Sequence, residues 1–470
     1  MIQLFADFLN NSFIHEKFIN MLTSQFRSSL KLEKKISQIV LPLFNFREKN
    51  FSIASSSKKS TIEHEKVLER FIIDRIRSTG PISLSEYMKL CVSSQYGYYA
   101  QKAKIFGDGE GDFITSPELT QVFGELIGAW LLNELHMTGW EGPWNLVELG
   151  PGTGALMVDV LNSDNKCSVH LIEKSSQLIK KQKVMFEQHL LNKTIDLCWH
   201  DSVEDIPEGF TIFISNEFFD ALPIHQFVRD EENPKIWHEV YVQLSNGKCE
   251  IDEEDGQILS KKHFCFGLSQ DENIHTRAYI PKHIRNDLSQ NKWECSPMAT
   301  NILNEIVKKF TTNGGFALII DYGHDGDRKT HSLRAYSNHS IVDPLDCPGR
   351  IDLTADVDFG ELKRSIDGKC LTFGPIEQRQ FLTQLGLINR LEYLLRKSTT
   401  TEQREALLNS CNILVSDAEM GARFKVFSLF PNTLSEIIKK RGGIPAGFAS
   451  PLPHLEDEKG NIIIYLFLED

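Results

Sequence analysis

The chain predicts an α/β fold, a doubly wound sheet with helices on both faces, on three observations. The run Asn145–Gly154, NLVELGPGTG, has the form of a parallel strand handing a ligand to the helix that follows. Apolar runs at Val169–Ile172, Ile195–Trp199, Thr211–Ser215 and Phe316–Asp321 have the length and composition of further buried strands. Helical stretches such as Ser175–Leu190 separate them, and strand–helix alternation is the pattern of a parallel sheet covered on both sides.

Residues 1–59 differ from the rest. From Met21 the run MLTSQFRSSLKLEKKISQIV sets Arg27, Lys31, Lys34 and Lys35 against the single acid Glu33, as in an organelle transit peptide. Asp7 and Glu16 upstream fit a presequence badly, which points to Met21 as the working start; the alternative is an ordinary polar tail. A helical region is expected over 60–143. Ser60 and Glu63 form a capping-box pattern ahead of Val67, Leu68, Phe71, Ile72 and Ile76, and Gly80-Pro81 stops that helix. Ser83 and Glu86 start a second helix, through Tyr87–Val92. Residues 96–118 lack periodicity and read as a long functional loop. Ser116 as N-cap with Pro117 opens a helix carrying Leu119, Val122, Phe123, Leu126, Ile127, Trp130 and Leu131, which ends at Gly139.

The core strands then occupy 144–470, with two insertions. Arg229–Ala299 is too long for one crossover; alternation at Trp237–Leu244 and the acidic turn Asp252–Gly256 predict a β-hairpin, followed by a helix over Thr300–Phe310. His324–Asp352 is irregular. Helices follow around Asp358–Ile366 and Ile376–Leu385, and Phe424–Phe430 and Ile462–Leu468 would add antiparallel strands.

Ligands in such sheets sit at the carboxyl ends of the strands, so each strand end can be assigned a role. Gly150, Gly152 and Gly154 let the backbone approach a bound molecule, and the helix Ala155–Leu161 turns its first amides towards it. Gly150, Gly152 and Ala155 also satisfy the looser dinucleotide pattern, so the glycines alone do not name the ligand. Glu148 does more. A carboxylate at a buried strand's end suits the amino and sulfonium groups of S-adenosylmethionine and suits a pyrophosphate poorly. Glu173 is placed for ribose hydroxyls, and Asp201 with Ser202 for the adenine edge. In TIFISNEFFDALPIHQF, Asn216, Glu217 and Asp220 converge just past a strand end; paired carboxylates hold a guanidinium bidentately and orient one nitrogen. Methyl transfer from a sulfonium needs alignment more than acid–base help. Arginine must still lose a proton, which Glu217 or Asp220 can relay. Gly107–Pro117 would wall the site, with Asp112 and Glu118 as polar contacts and Tyr96, Tyr98, Tyr99 and Tyr322 as candidate aromatic walls.

Five motifs in order, GDFITSPE (Gly111–Glu118), ELGPGTG, SNEFFDALP, IIDYGH (Ile319–His324) and PGRIDLTADVDF (Pro348–Phe359), resemble the MidA family of S-adenosylmethionine-dependent methyltransferases, from about Thr61 to the C-terminus. The resemblance implies a class I methyltransferase fold and, for mitochondrial members, symmetric dimethylation of an arginine on a respiratory complex I subunit during assembly. It carries Glu148, Gly150, Gly152 and Gly154 to the cofactor, Glu173 to its ribose, and Asn216, Glu217 and Asp220 to the substrate. The expected location is the mitochondrial matrix, with a complex I subunit as partner and a homodimer left open.

Net charge -13 argues against a sequence-independent nucleic-acid binder, whose phosphate contacts need clustered Lys and Arg. The nine cysteines are dispersed, without CxxC or zinc spacing, so a reducing compartment and no metal are expected. No apolar run reaches the ~20 residues of a membrane helix. Two other readings remain at this stage: a nucleotide-dependent oxidoreductase, and a non-catalytic assembly factor that keeps the fold as a platform.

Overall fold

In the central strands, successive side chains enter different cores. In β1 (Trp144–Leu149), Leu146 packs with Ile212, Ile214 and Leu318, whereas Val147 and Leu149 pack on the opposite face with Phe213, Ala317 and Ile319. This period-two alternation of apolar residues is why these runs form a sheet buried on both sides. The computed structural model describes residues 58–101, 115–161, 167–189, 195–245, 250–251, 258–260, 263–337 and 340–450.

β2 (Cys167–Ile172) and β3 (Asp196–His200) extend the sheet on one side of β1; β4 (Thr211–Asn216) and β5 (Gly315–His324) extend it on the other, all parallel. β7 (Phe424–Phe430) lies antiparallel beside β5, and β6 (Leu371–Glu377) antiparallel outside β7, giving the order β3-β2-β1-β4-β5-β7-β6. The chain winds outward both ways from β1 and β4, so a crevice opens at their carboxyl ends. Helix Gln121–Thr138 covers one face with Val122, Phe123, Ile127 and Trp130, and helix Pro297–Asn313 covers the other with Leu303, Ile306 and Phe310.

Several expected boundaries shift for identifiable reasons. The first helix spans Lys58–Thr79 and so runs through Ser60. Ser83 caps helix Leu84–Ser93 by accepting from the Glu86 amide at 3.2 Å, but the Glu86 side chain turns to Arg75 at 3.0 Å, so the box is half made. The helix expected from Ser116 is two helices, Ser116–Leu119 and Gln121–Thr138. Thr120 is extended between them and caps the second by accepting from the Val122 amide. The helix expected over Ile376–Leu385 is shorter, Gln378–Gln384, because Leu371–Glu377 is strand β6.

The chain between β4 and β5 forms more than a hairpin. Strands His225–Arg229, Trp237–Leu244, Phe264–Leu268 and Lys292–Cys295 build an antiparallel sheet that begins four residues before the expected Arg229. Its fifth strand comes from the N-terminal region: Ile82–Ser83 pairs with Trp237–Leu244, with Ile82 opposite Val242. Leu68, Ile72, Tyr87, Val242, Ile351 and Leu353 share one core, so the N-terminal helices and both insertions pack together. The presequence segment before residue 58, Asp112 with most of its loop, the turn Asp252–Gly256 and the strand expected at Ile462–Leu468 lie outside the described residues.

Candidate active site

β1 ends in a corner that its glycines make possible. Gly150 and Gly152 have φ of 61° and 54°, and a Cβ on Gly150 would come within 2.7 Å of the Phe218 ring. The corner therefore needs glycine for backbone conformation and for close packing. Glu148, just before it, is 3% exposed, and its Oε2 has no hydrogen-bond partner among the described residues. Burial pushes its pKa up to about 8. An ionisable group held this way calls for a ligand that donates to it.

A buried glutamine braces this corner to the next two strands. Gln182 Nε2 donates to the Gly152 carbonyl at 2.8 Å and to Glu173 Oε2 at 3.3 Å, while its Oε1 accepts from Trp199 Nε1 at 2.8 Å. Glu173, at the end of β2, also accepts from the Ser175 amide at 2.7 Å, and burial raises its pKa. The bond from Gln182 thus fixes the carboxylate that faces the cavity. Sequence reading missed Gln182, which sits unremarked in an amphipathic helix.

At the end of β4 the backbone turns through Glu217 at φ 52°, a left-handed conformation that costs a non-glycine residue of order 1–3 kcal/mol. What holds it is Asp321, on β5 just past the residues that pair with β4. Its Oδ2 accepts from three successive amides, Phe218 at 3.2 Å, Phe219 at 2.9 Å and Asp220 at 3.3 Å, and its Oδ1 accepts from the Tyr322 amide at 3.0 Å. Asp321 lies in IIDYGH, so the motif was visible although its role as a turn clamp was not.

The turn presents two carboxyls. Glu217 Oε1 accepts from the Ser116 amide at 3.0 Å and from Asn216 Nδ2 at 3.1 Å. Burial, with repulsion from Asp220 and Glu118, outweighs these bonds and pushes its pKa up to about 8. Asp220 is pushed up to about 6, burial again leading, against a hydrogen bond from the Tyr322 hydroxyl and the charge of Arg334. Arg334 lies over the Tyr322 ring, 4.7 Å from its centroid, and pairs with Asp356 at 2.5 Å. On the facing wall the Tyr99 hydroxyl donates to the buried Asp352 at 3.4 Å. Tyr98 is core packing, edge-on to Tyr99, and Glu118 accepts from Thr153 of the glycine corner at 3.1 Å.

One cavity of about 1040 Å³ joins these features, large enough for a nucleoside cofactor and a second ligand. Glu148, Gly150, Gly152, Glu173, Asp201, Ser202, Asn216, Glu217 and Asp220 all line it, as do Tyr99, Tyr322, Arg334 and Asp352. Gly154 does not. It caps helix Ala155–Val160 at φ 85° and packs near Phe186, so its role is to let the helix start.

The sheet order, the glycine corner beyond β1 and an acidic residue at the end of both β1 and β2 define a methyltransferase of the α/β class. The chain belongs to the family whose model carries the description "Putative S-adenosyl-L-methionine-dependent methyltransferase", matched over residues 126–376. It is 47% identical over 406 residues to the mitochondrial protein arginine methyltransferase NDUFAF7 homolog of Caenorhabditis elegans, spanning 82% of this chain and 90% of that one. It is 34% identical to the human mitochondrial protein arginine methyltransferase NDUFAF7, spanning 86% and 92%. Among solved structures, a Burkholderia thailandensis protein bound to S-adenosyl-homocysteine superposes with a TM-score of 0.66 at 21% identity, over 85% of this chain and 97% of that one; this likeness is one of fold. The cofactor is S-adenosylmethionine. The residues present fit it: a buried carboxyl with one oxygen unpartnered among the described residues stands where a cationic amino acid moiety is expected, beside a glycine corner that lines the same cavity.

Proposed function

We propose that this enzyme methylates an arginine side chain of a protein, with Glu217 gripping the guanidinium. The observation that carries this is the Glu217 carboxyl itself, largely buried on a left-handed turn, raised to about 8, and set beside Asp220 in the cavity that Glu148 also lines. Such a pair is satisfied by a cation that donates several hydrogen bonds in one plane, which a guanidinium does and an ammonium does not.

S-adenosylmethionine, when bound, supplies an electrophilic methyl group. Glu148 and the glycine corner would hold its amino acid portion, Glu173 its ribose, and Asp201 with Ser202 its base. The protein's own contribution is alignment. Asp321 fixes the turn, Asn216 and the Ser116 amide orient Glu217, and Tyr322 orients Asp220. Glu217 or Asp220 takes the proton that the attacking nitrogen must lose, their raised pKa values making either a competent acceptor near neutrality.

The finer reading is symmetric dimethylation of an arginine on a complex I subunit in the mitochondrial matrix, required for complex I assembly, after import on a presequence within residues 1–59. The printed names of the relatives support the arginine substrate and the mitochondrion; the five-motif resemblance supports the remainder. Mass spectrometry of complex I subunits from cells with and without this protein tests it, with Glu217→Gln as the rescuing variant. Loss of one dimethylarginine, not restored by the variant, is the expected result. Unchanged arginine methylation would sink the assignment, and normal assembly with the variant would favour a non-catalytic role.

A further inference from the structure

We propose that His225, Glu239 and His275 form a divalent-metal site, Zn²⁺ being the fitting ion, that clips the antiparallel insertion together away from the methyl-transfer cavity. The three side chains come from three elements: strand His225–Arg229, strand Trp237–Leu244 and helix Ile274–Tyr279. Their ligand atoms lie within 4.8 Å of one another, with His225 Nδ1 2.7 Å from Glu239 Oε1 and His275 Nδ1 2.9 Å from Glu239 Oε2.

Glu239 is fully buried, and among the described residues its ion-pair partners are the two imidazoles, so its charge is not met by a lysine or arginine. Two imidazole nitrogens and a carboxylate are a recurrent zinc donor set. Bonds of about 2.0–2.1 Å in a tetrahedron place ligand atoms roughly 3.3 Å apart. The two histidine–Glu239 contacts must therefore lengthen by a few tenths of an ångström, which the one-third-exposed His275 permits. That exposure also leaves a solvent-facing side for a fourth, water ligand.

The surroundings orient the donors as outer groups of metal sites do. Asn273 Nδ2 donates to Glu239 Oε2 at 2.6 Å, while its side-chain carbonyl accepts from the Thr276 amide and so caps the helix that carries His275. The Tyr279 ring stacks on His275 at an angle of 12°, and Phe227 lies parallel to His225. Sequence spacing could not reveal this site, because His225 and His275 are fifty positions apart and no cysteine takes part.

The test is Zn²⁺ titration of the chelator-stripped full chain against a chromophoric competitor, with Co²⁺ absorption reporting the ligand field. Expected are one tight equivalent, a tetrahedral Co²⁺ spectrum and a rise in Tm with Zn²⁺. In Glu239→Gln and His275→Gln, affinity falls on the order of a hundredfold or more. His238→Ala, which breaks the neighbouring His238–Asp230 pair, leaves binding unchanged. If Glu239→Gln fails to fold, His275→Gln decides alone, since its side chain is partly exposed. Wild type taking up no more Zn²⁺ than His275→Gln, or His238→Ala losing as much, overturns the proposal.

Discussion

Glu217→Gln should change how stability depends on pH, and the size follows from the burial of that carboxyl. In the unfolded chain Glu217 titrates near the ordinary 4.5; in the fold it is pushed up to about 8. Between those values the folded state keeps a proton that the unfolded state has released. The associated stability is therefore fully present below about pH 4.5 and is lost as pH rises to about 8, at roughly 1.4 kcal/mol per pH unit. Gln carries no proton to lose, and its Oε1 can still accept from the Ser116 amide and Asn216. From about pH 5.5 to about pH 7.5 the variant should gain on wild type by up to about 3 kcal/mol. For a protein of this size that is a relative Tm increase of several degrees, readable by thermal unfolding of the ligand-free protein at closely spaced pH values. Methyl transfer by the variant should be lost over the same range. A Tm difference that stays flat with pH would show that the fold does not hold Glu217 protonated, and the idea of a carboxyl awaiting a cation would go with it.

Three further outcomes follow from the geometry. Glu148→Gln should weaken S-adenosyl-homocysteine binding on the order of ten- to a hundredfold by calorimetry, the loss of one charge-assisted bond; an unchanged Kd would remove Glu148 from the cofactor site. Asp321→Ala leaves the amides of Phe218, Phe219, Asp220 and Tyr322 without their acceptor, so urea unfolding should show a loss of at least about 3 kcal/mol, and equal stability would refute the clamp. Gly150→Val places a side chain at φ 61° and against Phe218, so cofactor binding should disappear while circular dichroism stays native; retained binding would mean that the corner is not the cofactor's seat.

The central strands were legible because short apolar runs bounded by turn residues, such as Leu146–Leu149 leading into Gly150, alternate with helical stretches along the chain. Strand β6 was not legible. Leu371–Glu377 contains Gly374-Pro375, which reads as a breaker, and only its place at the sheet's edge, with a register shift between Phe373 and Ile376, lets a proline sit there. The proposed cofactor half of the site was similarly local: Glu148, Gly150 and Gly152 are neighbours in sequence and remain so in space. The proposed substrate half was local only in part. Glu217 and Asp220 declared themselves, but Tyr322 reaches Asp220 across 102 positions and Tyr99 reaches Asp352 across 253, and chain folding alone makes those pairs. The helix break at Thr120 shows the same limit, because the Ser116 amide just ahead of it donates to Glu217, 101 positions away.

The carboxyls of the cavity make one electrostatic argument. Glu148 and Glu217 are each held near 8 and Asp220 near 6, with burial the leading cause in all three. In the ligand-free site Glu148 and Glu217 therefore stay largely protonated near neutral pH while Asp220 is mostly ionised, and incoming positive charge favours the ionised forms of all three. Two cations in the proposed site would therefore bind with proton release from Glu148 and Glu217, and binding should grow tighter as pH rises towards 8. In the proposed site, methyl transfer would remove the sulfonium charge from the Glu148 side while the substrate would keep its own. With one positive charge fewer in the cavity, Glu217 or Asp220 would regain affinity for a proton at the step where the attacking nitrogen must give one up. Burial that costs the folded protein stability thus tunes the same groups for the transfer, which is why an apolar substitution at Glu217 would be expected to stabilise the fold and end its chemistry together.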